Sequence, residues 1–247
     1  MLERFFVPAI GIDTSVRLTG SEAHHLSRVC RINRGDRIYL FDGTGSEWEA
    51  AVVEVDNRDV LVSVIGQRQV NRELPFSLTL ACVPPKGDRL RWLVEKATEL
   101  GVTRLVPLLT ERATEQARGL KTERLNRWVI EASKQCGRNE LMEVMDLTGW
   151  QQYIESTSPS AICVLAEPTA RDLPPILSSR ETTDSVFLAI GPEGGFTDRE
   201  LELGRLRGWI AVSLGARVLR VETAALVLVA RVTAGAELHQ PIVDQPK

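Results

Sequence analysis

From residue 76 onward, the chain alternates between short apolar runs and amphipathic segments with helical periodicity. The predicted strands are FSLTLACV (76–83), TRLVPLLT (103–110), SAICVLAEP (160–168), DSVFLAIG (184–191) and WIAVSLG (209–215). The predicted helices are KGDRLRWLVEKATELG (86–101), TERLNRWVIEASKQCG (122–137), TDRELELGRLRG (197–208) and ETAALVLVARVTAGAELH (222–239). Strands that alternate with helices run parallel and are covered on both faces, so the pattern predicts an α/β domain on a parallel sheet.

The chain before the polar break VNRELP (70–75) follows a different pattern. The predicted strands here are DRIYLFD (36–42), EWEAAVVEV (47–55) and DVLVSVIGQ (59–67), which alternate and contain β-branched residues. One helical insert, SEAHHLSRVCRI (21–32), starts at Ser21, a residue type suited to cap it. We therefore predict a small β-barrel domain over 1–72 and the α/β domain over 73–247.

Composition and termini indicate an intracellular protein. No apolar run reaches membrane-spanning length, and the opening MLERFFVPAI lacks the shape of a signal peptide. The four cysteines, Cys30, Cys82, Cys136 and Cys163, are far apart and form no CxxC pair. This spacing favours reduced thiols over a disulfide framework or a zinc site, and we expect a cytoplasmic protein.

Charge is distributed unevenly along the chain. The net charge is −3, which by itself disfavours a nucleic-acid partner. Yet residues Lys86–Arg138 contain 12 basic and 7 acidic side chains, and 25 of the 30 basic residues are arginine. Arginine suits bidentate phosphate contacts and stacking on bases. The charge pattern alone leaves two interpretations open, an RNA-binding surface or ordinary solvated helix faces.

Irregular bends follow the last three predicted strands. They are LAEPT (165–169), IGPEGG (190–195) and SLGARVLRVETA (213–224). Ligands of parallel α/β sheets bind beyond the carboxyl ends of the strands, so three adjacent bends should form one pocket with a largely backbone lining. Gly191, Gly194 and Gly195 allow close approach and positive φ angles. Thr197 and Glu200 have the spacing of a capping box for the following helix.

Several common chemistries lack their sequence signatures. The first α/β strand leads into CVPPKGDR (82–89) without GxGxxG, and no GxxxxGK[ST] loop occurs anywhere. The three histidines, His24, His25 and His239, are too few to support zinc or Ser-His-Asp chemistry. NAD, ATP and a metal ion are therefore disfavoured as cofactors.

The glycine-rich bends contain a family signature. GPEGGFTDRE followed by LGARVLRVETAAL resembles the RsmE family of ribosomal-RNA uridine-N3 methyltransferases, members of the SPOUT (trefoil-knot) class. Further segments resemble the family in the same order: RFFV (4–7), HHLSRVCRINRGDRIYLFDGTG (24–45), KGDRLRWLVEKATELGV (86–102) and PLLTER (107–112). The resemblance covers most of the chain.

The resemblance implies a fold and a reaction. It implies a small N-terminal PUA-like β-barrel that binds RNA and a C-terminal SPOUT-type knotted α/β domain that binds S-adenosylmethionine. The expected partners are small-subunit ribosomal RNA or the 30S subunit, and a second copy in a homodimer. The nearly uniformly apolar last helix fits either such a dimer or a central helix of the monomer core. Ligand and threaded chain together would explain the bare glycines from Gly191 to Gly195.

Site residues follow from the matched segments. For the cofactor we expect Leu165, Glu167, Gly191, Glu193, Gly195, Leu214, Gly215, Leu219, Arg220 and Thr223, with Thr223 also as a helix N-cap. For catalysis, Arg220 would stabilise the uracil anion, and Glu222 would orient Arg220 or accept the N3 proton. For RNA we expect Arg4, Arg28, Arg31, Arg34, Arg112 and Arg138.

Other functions remain possible at this level. A related enzyme could methylate another RNA base or a ribose hydroxyl. A ribosome-assembly protein without catalysis could retain the RNA-binding surface, although intact GPEGG and LRVETA segments argue against lost activity. A dehydrogenase is disfavoured because the dinucleotide fingerprint is missing.

Overall fold

A computed structural model describes residues 3–10, 15–24, 26, 30, 32–56, 58–68, 70–113, 119–170 and 185–234. These residues divide into two compact units. The first comprises Met1–Glu73 together with Ser133–Leu141, and the second comprises Leu74–Ala132 together with Met142–Gln240. The inclusion of Ser133–Leu141 in the first unit is a feature that the sequence pattern did not predict.

The first unit is built on one five-stranded sheet with the order β1-β3-β4-β5-β2. Its strands are β1 (Arg4–Phe6), β2 (Ser15–Thr19), β3 (Arg37–Phe41), β4 (Glu47–Val55) and β5 (Asp59–Arg68). The three predicted strands are confirmed as β3, β4 and β5, whereas β1 and β2 were not predicted. Strand β1 runs parallel to β3, and the other pairs are antiparallel.

Two irregularities curl this sheet. The β4–β5 register shifts between Glu49 and Ala50 and again between Val52 and Glu54. Such bulges bend a strand and increase its twist, so alternate side chains can meet inside the curve. Phe5, Ile38 and Leu40 are completely buried there. The result is a curled sheet with an apolar interior.

The predicted helix over 21–32 is only partly described. Helix α1 spans Gly20–His24, and the Ser21 side chain together with residues 25, 27–29 and 31 lies outside the described part.

A cluster of charged side chains is buried in the first unit. Glu47 is completely buried and pairs with Arg4, while its Oε1 lies 3.3 Å from Nη1 of Arg68 and its Oε2 lies 3.5 Å from Nη1 of Arg72. Nη2 of Arg4 also donates to Oδ1 of Asn139 at 2.7 Å. Burial lowers the pKa of Arg4, and Glu47 opposes that shift. Removing one partner of such a buried ion pair leaves the other charge uncompensated, which destabilises the folded state.

The second unit contains a parallel sheet with the order β12-β10-β11-β6-β7-β8, and β9 pairs with β7. Its strands are β6 (Ser77–Cys82), β7 (Arg104–Leu109), β8 (Glu143–Val144), β9 (Thr148–Gly149), β10 (Ile162–Ala166), β11 (Ser185–Ile190) and β12 (Ile210–Val212). Its helices are α2 (Asp88–Glu99), α3 (Thr122–Cys136, which ends in the first unit), α4 (Trp150–Glu155), α5 (Asp198–Leu206) and α6 (Val221–Thr233). The predicted parallel α/β sheet is confirmed, while β8, β9 and α4 were not predicted.

The start of helix α5 is fixed by the predicted capping box. The Thr197 side chain accepts from the Glu200 backbone N–H at 3.2 Å, and a Glu200 carboxylate oxygen accepts from the Thr197 N–H at 2.8 Å. The other oxygen of Glu200 accepts from the Glu111 N–H at 2.8 Å. This buried carboxylate therefore joins the loop after β7 to the helix that follows the glycine-rich bend.

The register places four strand ends at one edge of the sheet. Ala166 of β10 is level with Ile190 of β11 and Val212 of β12, and Ile190 is level with Cys82 of β6. The bends that follow these strands consequently start side by side.

Helix α6 packs within the single chain against α2, β6 and β11. Its N-cap is Arg220, so Thr223 lies inside the first turn and the prediction of Thr223 as N-cap is wrong. Leu228 and Val229 are completely buried, which fits the interpretation of α6 as a core helix. No helix in the described ranges has both the length and the apolar character needed to cross a membrane.

Candidate functional site

The three bends line one pocket in the second unit, as the sequence analysis predicted. Seven of the ten candidate cofactor residues contribute to its wall: Glu167, Gly191, Glu193, Gly195, Leu214, Gly215 and Leu219. We call this cavity the first pocket. It combines glycines that carry no side chain with two carboxylates and an apolar surface, a combination that suits a nucleoside with a charged tail.

Three candidate cofactor residues lie elsewhere. Leu165 is completely buried in the apolar core, where its side chain packs toward Gly204 on α5. Arg220 is exposed at the helix cap, and Thr223 is half-buried in the first turn of α6. Their neighbours Ala166, Leu219, Val221 and Ala224 line the pocket instead, so the correct segments were found but the side-chain directions were not.

Further pocket residues were not predicted. They are Ala166, Pro168, Ile190, Pro192, Arg217, Val218, Val221 and Ala224. All belong to the same three bends or to the first turn of α6. Their position beside the glycines is the one sequence feature from which they could have been predicted. Arg217 and Val218 are exposed, and Val218 retains 85% of its accessible surface.

The structure explains why position 191 carries no side chain, which the sequence did not. A Cβ atom there would lie 3.1 Å from Cδ2 of Phe196 and 3.2 Å from the carbonyl carbon of Gly195. The described atoms that exclude a side chain at Gly191 thus belong to its own turn, not to a threaded segment. Gly195 differs, since its φ of +70° is a conformation that L-residues rarely adopt.

The predicted pairing of Glu222 with Arg220 is wrong. Glu222 is buried, and its Oε1 lies 3.8 Å from Nη1 of Arg89 on helix α2. Its Oε2 is buried without a hydrogen-bond partner in the described part of the chain. Arg220 is exposed with no ion pair to a described residue, so Glu222 does not orient it through an ion pair.

A second pocket adjoins the first. Its wall includes Val83, Pro84, Pro85, Lys86, Arg112, Pro192, Glu193 and Val221, all within the second unit. Pro192, Glu193 and Val221 belong to both pockets. Nη1 of Arg112 donates to the carbonyl oxygens of Gly194 at 2.6 Å and Phe196 at 3.3 Å. One cation of the second pocket is therefore fixed to the turn that separates the two cavities.

The arginines predicted to bind RNA differ in their exposure to solvent. Arg4 and Arg138 are buried in the first unit, Arg4 against Glu47 and Arg138 against Glu73 at 2.5 Å, so burial corrects their assignment as RNA contacts. Arg34 and Arg112 are exposed. Arg28 and Arg31 lie outside the described residues.

No group of His, Cys, Asp and Glu suited to hold a metal ion occurs among the residues that the structure describes.

Comparison with known families gives two matches. The family described as an RNA methyltransferase domain matches residues 72–233, and the family described as an RNA methyltransferase PUA domain matches residues 18–65. The residues that line the two pockets all lie within 72–233, the range matched by the RNA methyltransferase domain.

Individual relatives agree with these families. Ribosomal RNA small subunit methyltransferase E from Bacillus subtilis is 33% identical over 231 residues and covers 90% of each chain. The enzyme of that name from Synechocystis is 34% identical over 227 residues, covering 90% of this chain and 74% of the relative. A crystal structure of the Neisseria gonorrhoeae protein of that name, bound to S-adenosyl methionine, superposes with a TM-score of 0.85 at 28% identity over 95% of this chain and 98% of the other.

Proposed function

The chain belongs to the RNA methyltransferase family of ribosomal RNA small subunit methyltransferase E, and we propose that it transfers a methyl group from S-adenosylmethionine to N3 of a specific uridine in 16S ribosomal RNA. The observation that supports this proposal most directly is the single pocket formed by three strand-end bends. The choice of uridine N3 comes from the resemblance of the GPEGG and LRVETA segments to the RsmE family.

The first pocket fits the methyl donor. Ile190, Leu214, Leu219 and Ala224 offer an apolar surface for an adenine ring. Backbone at Gly191, Gly195 and Gly215 can approach a ligand closely because no Cβ intervenes. When bound, S-adenosylmethionine supplies a methyl group made electrophilic by a positively charged sulfur.

Two carboxylates of the first pocket suit the polar parts of the donor. Oε1 of Glu167 accepts from the Thr169 hydroxyl at 3.1 Å, which fixes the orientation of that carboxylate. We propose that Glu167 faces the ribose hydroxyls, and that the exposed carboxylate of Glu193 offsets part of the sulfonium charge. Arg220 remains a proposed contact at the pocket's edge.

Buried thiols favour transfer to nitrogen or oxygen over transfer to a ring carbon. Methylation of a pyrimidine carbon commonly begins with thiolate addition to the ring, and a thiolate requires an accessible, acidic cysteine. Cys82 ends β6 near the second pocket, but burial raises its pKa to about 12. Burial also raises the pKa of Cys163. A nitrogen or oxygen lone pair attacks a methyl group without such a thiolate.

The raised pKa of Cys82 predicts a loss of stability in alkali. In the unfolded chain the thiol ionises near its ordinary value of 9.0, whereas in the folded chain it retains its proton to about pH 12. Its contribution is therefore complete below pH 9.0 and is lost progressively as pH rises to about 12. The free energy of unfolding can be measured by urea denaturation under reducing conditions. In this pH interval it should decline more steeply in the wild type than in Cys82→Ala, by about 1.4 kcal/mol per pH unit. Equal declines would contradict the buried neutral thiol.

The remaining assignments are also proposals. We propose that residues 1–72 form the RNA-binding PUA-like domain, to whose compact unit Ser133–Leu141 also belongs, and that the remainder of residues 73–247 forms the SPOUT methyltransferase domain with its trefoil knot. Arg34 and Arg112 are the described arginines that we retain as RNA contacts. A homodimer formed through the C-terminal domain, a cytoplasmic location and action on 16S RNA or the 30S subunit complete the proposal.

Calorimetry and mass spectrometry test the proposed function together. The purified protein should bind S-adenosylmethionine at one site per chain and methylate 16S RNA or 30S subunits. RNA from a strain that lacks the gene should lose one 3-methyluridine, and the restored gene should return it. A protein that ignores the donor would contradict the enzyme assignment, whereas loss of a different modified nucleoside would correct only the target.

A further inference from the structure

Among the described residues that line both pockets, Glu193 is the one that carries a carboxylate. It is exposed and lines both cavities. A helix-capping role for Glu193 is ruled out because Thr197 and Glu200 cap helix α5. Within the described ranges, Glu193 makes no hydrogen bond and no ion pair. Its carboxylate is therefore available to a ligand in either pocket.

Two cations face the second pocket beside this carboxylate. Lys86 is exposed and has no ion-pair partner in the described part of the chain. Arg112 uses Nη1 to bind the carbonyl oxygens of Gly194 and Phe196, and its Nε and Nη2 have no hydrogen-bond partner among the described residues. Pro84 and Pro192 add flat apolar surface. Flat walls, two cations and one carboxylate are complementary to a pyrimidine ring that bears an N–H between two carbonyl groups.

We propose that the second pocket receives the target uracil, that Glu193 accepts its N3 proton, and that Lys86 and Arg112 stabilise the resulting anion. This inference rests on the proposed function and identifies the base-binding part of that site. Glu193 replaces Glu222 as the candidate proton acceptor, because Glu222 is buried against Arg89. It also gives Arg112 a role at the base as well as on the RNA backbone.

The reaction balances with these groups alone. The N3 proton moves to a carboxylate oxygen of Glu193, and the negative charge spreads over the two ring carbonyl oxygens. Lys86 and Arg112 lower the pKa of the ring N–H because opposite charges nearby favour its ionised form. The N3 lone pair then forms the bond to the methyl carbon, and the electrons of the carbon–sulfur bond remain on sulfur. Glu193 finally releases the proton to water.

The variant Glu193→Gln tests the proton acceptor. Single-turnover methylation of 16S RNA near neutral pH should slow by roughly 100-fold or more, within the range for a lost general base. The deficit should shrink as pH rises, because solvent then removes the N3 proton instead. Calorimetry should give an affinity for S-adenosylhomocysteine within about threefold of the wild type. Asp198→Asn, an exposed carboxylate outside both pockets, is the matched control and should retain wild-type values.

Lys86→Gln tests the second pocket independently. It should shift the rise of the methylation rate to higher pH without weakening cofactor binding. Parallel pH profiles for Glu193→Gln and the wild type would overturn the role of Glu193, and so would a loss of S-adenosylhomocysteine affinity in proportion to the loss of rate. An unchanged profile for Lys86→Gln would overturn its part in anion stabilisation. If the wild-type protein itself neither binds the donor nor methylates RNA, the proposed function fails first, and this inference falls with it.

Discussion

Replacing Glu47 with alanine is expected to lower the free energy of unfolding of the first unit by about 3–5 kcal/mol, the usual result of removing one member of a buried ion pair. Glu47 is completely buried, and Arg4, Arg68 and Arg72 all direct a guanidinium group toward it. Arg4 is itself buried, so its charge would lose its nearest counter-ion without gaining water. Urea denaturation followed by far-ultraviolet circular dichroism measures the change.

The same strand supplies a matched control. Glu49 lies two positions farther along β4, and its Oε1 pairs with Nη1 of Arg37 at 2.6 Å on the surface. Exposed pairs contribute about 0–1 kcal/mol, so Glu49→Ala should have a small effect. If the two alanine variants unfolded at the same urea concentration, the Glu47 cluster would not stabilise the unit as argued.

Gly191→Val is expected to weaken binding of S-adenosylmethionine by roughly 100-fold or more, a change of about 2.7 kcal/mol. A Cβ at this position lies within 3.2 Å of both the Phe196 ring and the backbone of Gly195, and a backbone atom cannot move aside as a flexible side chain can. The γ-carbons of valine would also occupy space at the wall of the first pocket. Calorimetry measures the affinity, and the melting temperature establishes that the variant is folded.

Gly194→Ala is the control for this turn. A Cβ there would meet only the side chain of Arg112, with Cδ at 3.4 Å and Cβ at 3.9 Å, which are ordinary contacts. Cofactor affinity should therefore stay close to that of the wild type. Wild-type affinity in Gly191→Val would mean that the bend does not contact the donor, and the proposed use of the first pocket would have to be abandoned.

Local signals in the sequence predicted individual elements well. The run EWEAAVVEV predicted β4, which spans Glu47–Val55, because alternation and β-branched residues favour a half-buried strand. The Thr197–Glu200 spacing predicted a capping box because both partners lie within four residues of one another. Parallel strand order then placed the glycine bends together, since the carboxyl ends of parallel strands share one edge.

Side-chain direction and long-range pairing could not be predicted in this way. Arg4 and Arg138 resemble any surface arginine in the sequence, and only the folded chain brings Glu47 and Glu73 beside them. Leu165 occupies the predicted strand, but a strand's two faces alternate, and its side chain faces the core. The partner of Glu222 proved to be Arg89, more than a hundred positions away in the chain.

The return of Ser133–Leu141 to the first unit has a consequence for how this gene can be cut and recombined. Arg138 neutralises Glu73, and Asn139 accepts a hydrogen bond from Arg4 and donates one to the Val70 carbonyl at 3.2 Å. A gene fragment that stops at codon 73 encodes all five strands but omits these partners. Transplanting the first unit into another protein would therefore require both stretches, so a single crossover point cannot transfer it intact.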